Sequence, residues 1–270
     1  MFYNDVQLRE TLISIKEQTK KPEQILIIDD NSNLPMDSIP SEIEDKVEII
    51  RNTENRGRGY SRNLGVIKSV NEFIVFCDST NSLCSDFIEK ALITFSNEKT
   101  TAVFGSITGR NDHTDVCSRW RERNLFLQTY PDAKEPYEVF SLSTYSVMLR
   151  KSHILSIGNF KKDLRKFEDH DLGVRIIKNN YSIFFNPSLC CISNKRDNFL
   201  ELAIRIDRWY SPSNVGFNFK AFVDLQKTAF TIWTKRDINS RDYGGVLLSL
   251  CLPFIILFQN LINDYSKNSK

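Results

Sequence analysis

The chain alternates short apolar runs with stretches of helical periodicity. Residues 5–18 place Val6, Leu8, Leu12, Ile13 and Ile15 at roughly helical spacing, and Pro22 closes the segment. A β-branched run at 25–28 then predicts a buried strand that ends in Asp29-Asp30-Asn31-Ser32. Further strands are predicted at 47–50, 73–77, 102–107, 145–149 and 181–185. Helices are predicted at 59–70, 86–97, 117–128 and 152–157, and again from Phe167 onward. A loop is expected around Pro131 and Pro136.

Strands that alternate with helices of this length imply crossover units and a largely parallel sheet. Ligands of such sheets bind at the carboxyl ends of strands. Two strand ends here carry acids, Asp29/Asp30 and Asp78. Either one alone reads equally well as turn chemistry, because Asp and Asn suit turns. Two in one sheet favour a ligand site.

The chain changes character near residue 196. Residues 1–195 form the expected α/β domain, and 196–270 a helical extension. Residues 199–210 mix Arg205, Arg208, Trp209 and Tyr210 with apolar positions, and 215–236 read as aromatic-rich helix. The segment 244–262 is almost continuously apolar, interrupted by Ser249 and Pro253. Its length is marginal for a span, which needs about 20 apolar residues. Association with a membrane surface is the expectation, with a buried or interfacial helix as the alternative to a true span.

Composition narrows the function. With 41% hydrophobic and 26% charged residues the chain is globular. Its 36 Lys and Arg nearly balance 34 Asp and Glu, so no general basic field marks nucleic acid as a partner. None of the six Cys forms a C-x-x-C pair, and the three His have no spaced co-ligands, so zinc is not expected. The cysteines read as reduced, in a cytoplasmic setting.

The loop at 52–63, NTENRGRGYSRN, begins like a dinucleotide fingerprint at Gly57-Arg58-Gly59 but has Arg62 at the third glycine position. Arg56, Arg58 and Arg62 suit either a phosphate ligand or a solvated basic turn.

Taken in order, these segments resemble the inverting glycosyltransferases of family 2, which have the GT-A fold. The likeness rests on Phe2-Tyr3-Asn4, the helix at 8–19 with its Gln-Thr close, and Asp29-Asp30-Asn31-Ser32. It continues through Arg62-Asn63-Leu64-Gly65, Gly158-Asn159-Phe160 and Glu168-Asp169-His170-Asp171-Leu172. The resemblance implies a Rossmann-like central sheet flanked by helices and hexosyl transfer from a nucleotide-sugar donor to a saccharide or lipid-linked hydroxyl acceptor. Polysaccharide or glycan biosynthesis at the inner face of the cell membrane would be the setting. Tyr3, Asp30, Arg62 and Asp78 would bind the donor. Asp78 would hold Mg²⁺ or Mn²⁺ against the diphosphate, with Thr80 and Asn81 as weak ligands. Asp169, next to Glu168, would be the general base. Arg205, Arg208 and Trp209 resemble the Arg-x-x-Arg-Trp signature of membrane-bound members, near the acceptor.

Two departures stand out. The family's complete opening strand does not precede Phe2, so a sheet neighbour is expected to be exposed. Thr80 replaces the second acid of the D-x-D pattern, which removes a unit of negative charge from the metal site. Two rival readings follow: a catalytically impaired binding protein of the same fold, and a nucleotidyltransferase, which would not need Asp169.

Overall fold

The computed structural model describes residues 6–33, 47–126, 134–210 and 219–268. Contacts divide the chain into two compact units. One comprises Met1–Thr108 and Asp132–Lys195, the other Gly109–Pro131 and Arg196–Lys270.

In the first unit, helix α1 (Leu8–Lys16) buries Leu8 and Leu12 against Ile25 and Ile27 of strand β1 (Ile25–Asp29). β1 pairs in parallel with β2 (Val47–Arg51). The register sets Asp29 beside Arg51, and their side chains pair at 2.9 Å. Helix α2 (Arg58–Lys68) leads to β3 (Phe73–Cys77), then the short β4 (Asn81–Leu83), α3 (Phe87–Thr94) and β5 (Thr100–Gly109). After β6 (Tyr137–Val139) and β7 (Ser146–Arg150) come α5 (Lys151–Ser156), α6 (Glu168–Lys178) and β8 (Ser182–Ser193). Helix α4 (Val116–Arg121) belongs to the second unit.

The larger sheet runs β3-β7-β5-β8-β4, with β6 also on β8. The expected largely parallel sheet is therefore a mixed one. β7 pairs antiparallel with both β3 and β5. β3 and β5 thus share a direction, as a crossover requires, but a strand from later in the chain lies between them. Helix–strand alternation fixes the sense of a connection, not which later strand inserts into the gap.

β3 has the predicted bounds but is half-buried at all five positions rather than buried. One of its edges pairs with β7. All five of its residues also line a cavity of ≈ 210 Å³ shared with Ile25, Leu26 and Ile28 of β1.

The core on α3 comprises Phe87, Ile88, Ala91 and Phe95 packed with Val103, Met148 and Leu189. β4 pairs with β8 so that Leu83 faces Cys191, which brings the adjacent Cys84 and Cys190 together. They form a disulfide with a Cα separation of 5.6 Å, so these two cysteines depart from the reduced reading.

The second unit contains α4 (Val116–Arg121), a π-helical turn (Glu122–Phe126) and α7 (Phe199–Tyr210). It also contains α8 (Phe219–Thr228), a second π turn (Ala229–Trp233), α9 (Thr234–Asn239) and α10 (Tyr243–Asn268). Of the described residues between the strands, 109–126 pack here. The reason is packing: Trp120 is fully buried among Leu202, Ile206, Trp233, Leu248 and Leu252. Its indole N–H donates to Ser249 Oγ at 2.7 Å. Arg121 and Arg205 both pair with the buried Asp197 at 2.8 Å.

Candidate active site

The backbone at the end of β3 sets the first carboxylate. The β3–β7 ladder pairs Cys77 with Ser146, and the Asp78 N–H extends it by donating to the Tyr145 carbonyl at 3.0 Å. The Asp78 carbonyl then accepts from the Asn81 N–H at 2.9 Å, which closes a tight turn. Asp78 is thus the first residue of a turn, and its side chain is left to pair elsewhere.

The second carboxylates come from the start of α6. Phe167 precedes the helix in the left-handed region, φ 60°. Glu168, Asp169 and Asp171 occupy the first turn, where negative charge meets the positive end of the helix dipole. Asp169 is half-buried, and its Oδ1 accepts from the His170 N–H at 2.8 Å. Asp171 is held by Lys161 and Arg175, both at 2.6 Å. Burial works to raise its pKa, but these two cations outweigh it and bring it below the ordinary value.

Arg62 joins the two ends. Its Nη2 donates to Asp78 Oδ1 at 3.1 Å, and its Nη1 donates to Glu168 Oε1. The side chains of Arg62 and Glu168 are 3% and 2% exposed, whereas that of Asp78 is 33% exposed. Burial pushes the Glu168 carboxyl above its ordinary pKa; Arg62 opposes this and the neighbouring Asp169 adds to it.

Glycine packing explains why Arg62 reaches Glu168. Gly57 adopts φ 85° and donates its N–H to Asp30 Oδ2 at 2.8 Å. Gly59 lies so close to the 161–164 backbone that a Cβ would stand 2.2 Å from the Lys161 carbonyl oxygen. The two glycines dock the start of α2 on the segment that leads into α6. Asn63 completes the joint through its Nδ2, 2.6 Å from the Phe160 carbonyl. The basic loop is thus a packed joint: Arg56 lies over the Tyr60 ring and pairs with Glu54, Arg62 is buried, and Arg58 is half-exposed.

Asp30 is 1% exposed. Its carboxylate accepts from Asn52 Nδ2, the Arg56 N–H and the Gly57 N–H, each at 2.8 Å. It ties the 52–57 loop to β1. Asn52 and the Tyr145 carbonyl are site-building partners that the sequence reading missed. No side-chain pattern could have pointed to a backbone carbonyl. Tyr3 lies outside the described residues. Arg205, in the second unit, is occupied by Asp197. Arg208 and Trp209 fall on α7, and their side chains lie outside those described.

A family model described as glycosyl transferase family 2 matches residues 1–158. The chain belongs to glycosyl transferase family 2. It is 25% identical over 186 residues to an uncharacterized glycosyltransferase of Methanocaldococcus jannaschii, covering 66% of this chain and 63% of the relative. It is 23% identical over 179 residues to an uncharacterized glycosyltransferase of Haemophilus influenzae, covering 62% and 56%. The chain thus spans about three-fifths of the length of these curated relatives. Among solved structures it resembles S. aureus TarS, with TM-score 0.57, 16% identity and coverage of 94% of this chain and 53% of that one. It also resembles GalNAc-T7 crystallised with UDP, GalNAc and Mn²⁺, with TM-score 0.57, 14% identity and coverage of 93% and 53%. These likenesses show the GT-A fold, with a mixed sheet flanked by helices.

The divalent cation implied for such a site can be tested against the family 2 residues present here. Asp78 is the single acid of the Asp78–Thr80–Asn81 turn, and it is ion-paired. Asn81 is 3% exposed, and its Nδ2 donates to the Tyr145 carbonyl at 3.1 Å. Among the described residues no three His, Cys, Asp or Glu side chains converge. This donor set does not fit a hard cation that seeks several anionic oxygens.

Proposed function

We propose that this chain transfers a sugar from a nucleotide-sugar donor to a hydroxyl acceptor with inversion at the anomeric carbon. The observation that carries the reading is the Asp78–Arg62–Glu168 chain of ion pairs. It sets the end of β3 against the start of α6, so a strand-end carboxylate and the half-buried Asp169 belong to one site. Family membership supports the reaction class. Fold neighbours crystallised with UDP or with GDP-mannose support a nucleotide-sugar donor.

Asp169 takes the proton of the acceptor hydroxyl. The hydroxyl oxygen attacks the anomeric carbon on the face opposite the leaving group. The bond from that carbon to the diphosphate oxygen breaks, and the nucleoside diphosphate leaves with the electron pair. Arg62 and Glu168 position Asp78 and the first turn of α6. Removing the base costs about 10²–10⁴ in rate. Asp169→Asn should therefore lose transfer from UDP- or GDP-sugars while binding UDP or GDP as the parent does. Full sugar transfer by that variant would remove Asp169 as the base, and nucleotidyl transfer without sugar transfer by the parent chain would overturn the reading.

The acceptor in this reading is a saccharide or lipid-linked glycan at a membrane surface, in polysaccharide biosynthesis. Support comes from α10. Residues 243–262 are apolar enough to cross a membrane by length and composition, with mean hydropathy 2.2. Leu248, Leu252 and Ile256 on one face fill the core of the second unit. Tyr243, Leu247, Phe254, Phe258 and Leu261 form an exposed apolar stripe on the opposite face. A helix with one face committed to protein and the other apolar suits lying in the interface better than spanning it.

A further inference from the structure

Glycosyl transfer from a nucleotide donor is commonly assisted by a divalent cation that offsets the diphosphate charge. The residues at the end of β3 are arranged for a different solution, and the inference below rests on the donor reading just given.

Three observations bear on it. First, Asp78 already has a cation. Arg62 Nη2 stands 3.1 Å from Asp78 Oδ1, and the guanidinium is 3% exposed. A buried guanidinium is always charged and cannot be swung aside without stranding Glu168, its other partner. Second, the positions that would complete a carboxylate set carry neutral side chains, Thr80 and Asn81. Asn81 is also turned to the Tyr145 carbonyl. Third, the backbone of the turn is fixed from both sides. Asp78 N–H donates to Tyr145, and the Thr80 carbonyl accepts from the Asn194 N–H at 2.8 Å. That carbonyl is therefore already in use.

A divalent ion at Asp78 would share its one carboxylate with a fixed positive charge. Like charges held on either side of a single carboxylate repel, and the neutral oxygens nearby offer no compensation. We infer that Arg62 stands in for the cation at this strand end, so that the chain binds a nucleoside diphosphate without a divalent metal. The same guanidinium also pairs with Glu168 at the start of α6.

The test uses the full chain with UDP and GDP as probes, titrated calorimetrically in EDTA and in Mn²⁺. Mn²⁺ uptake is followed in parallel by electron paramagnetic resonance, with and without nucleotide. The inference expects affinities in EDTA and in Mn²⁺ to agree within about threefold. It expects Mn²⁺ alone to remain free in solution beside the protein. Thr80→Asp adds the absent acid, and in that variant Mn²⁺ should tighten nucleotide binding about tenfold. Tightening of that size in the parent chain overturns the inference, as does stoichiometric Mn²⁺ uptake by the parent. If neither nucleotide binds in either medium, the donor reading falls. The inference falls with it, whereas nucleotide binding seen only in Mn²⁺ overturns the inference and leaves the donor reading standing.

Discussion

Arg62 and Glu168 lie 106 positions apart in sequence and form a buried ion pair. Their partners are unequal. Arg62 also holds Asp78, so losing Glu168 leaves the arginine paired. Losing Arg62 leaves Glu168 as a buried, uncompensated carboxylate. Removing one partner of such a pair costs about 3–5 kcal/mol when it strands the other. Arg62→Met should therefore lose about that much at pH 7 in urea unfolding, and Glu168→Gln under about 1 kcal/mol. The pH dependence follows from the raised pKa of Glu168 in the fold. Its contribution is fully present below the unfolded value of 4.5 and is lost as pH rises through the folded value. The penalty of Arg62→Met should shrink as pH falls toward 4.5, where Glu168 takes up a proton. A penalty that does not change with pH would contradict this account.

Asp197 should behave in the opposite sense. It is buried between Arg121 and Arg205. Burial raises its pKa, but the hydrogen bonds and charge of Arg205 and Arg121 outweigh burial and lower it. Its stabilisation is present above the unfolded value of 3.8 and is lost as pH falls through the folded value. Asp197→Asn leaves Arg121 buried without a carboxylate and should cost about 3–5 kcal/mol at pH 7. The difference from the parent should narrow in acid. Denaturant titrations of both proteins at pH 7 and near pH 3 read the effect.

Gly59 is required for space, not for its backbone angles. A methyl group there would meet the Lys161 and Leu164 carbonyl oxygens at 2.2 and 2.4 Å. Gly59→Ala should destabilise by about 1–3 kcal/mol, the range of overpacking in a tight contact. It should also reduce transfer, because it pushes α2, and Arg62 with it, away from α6. Gly65→Ala is the control. Its added methyl would meet the Phe76 ring at 3.4 Å, a contact that can relax. Thermal melts of the two variants should separate clearly.

The exposed stripe of α10 makes a prediction about membranes. Leu247 and Phe258 are 64% and 65% exposed, and Leu248 is 4% exposed. Leu247→Ser with Phe258→Ser should weaken flotation on anionic lipid vesicles at least about tenfold while leaving the melting temperature nearly unchanged. Leu248→Lys should unfold the second unit instead. Equal flotation by the double variant and the parent would remove the stripe from the membrane account.

How much of this was legible in the chain can be argued from particular residues. The five-residue apolar run at 73–77 is long and β-branched enough to be a strand, and β3 has those bounds. The acids at 168–171 sit where a helix start favours negative charge, and α6 begins at Glu168. Three-residue strands such as β4 and β6 carry too little periodicity to detect. The π turns at 122–126 and 229–233 read as plain helix, because their apolar spacing does not differ over one turn. The disulfide was also illegible: Cys84 and Cys190 meet only because β4 and β8 pair in one register.

The sequence by itself determined the ordered motifs, the acids at strand and helix ends, the apolar stretch at the C-terminus and hence the family. These are local properties, set by spacing and by the chemistry of neighbouring residues. Only the tertiary structure decided what the acids are paired with. It buries Asp30 under the 52–57 loop, inserts β7 beside β3 and gives Asp78 a buried guanidinium from α2. Whether a carboxylate faces a solvent ion or an arginine depends on which distant segments pack against it, and the close approach at Gly59 is one such contact.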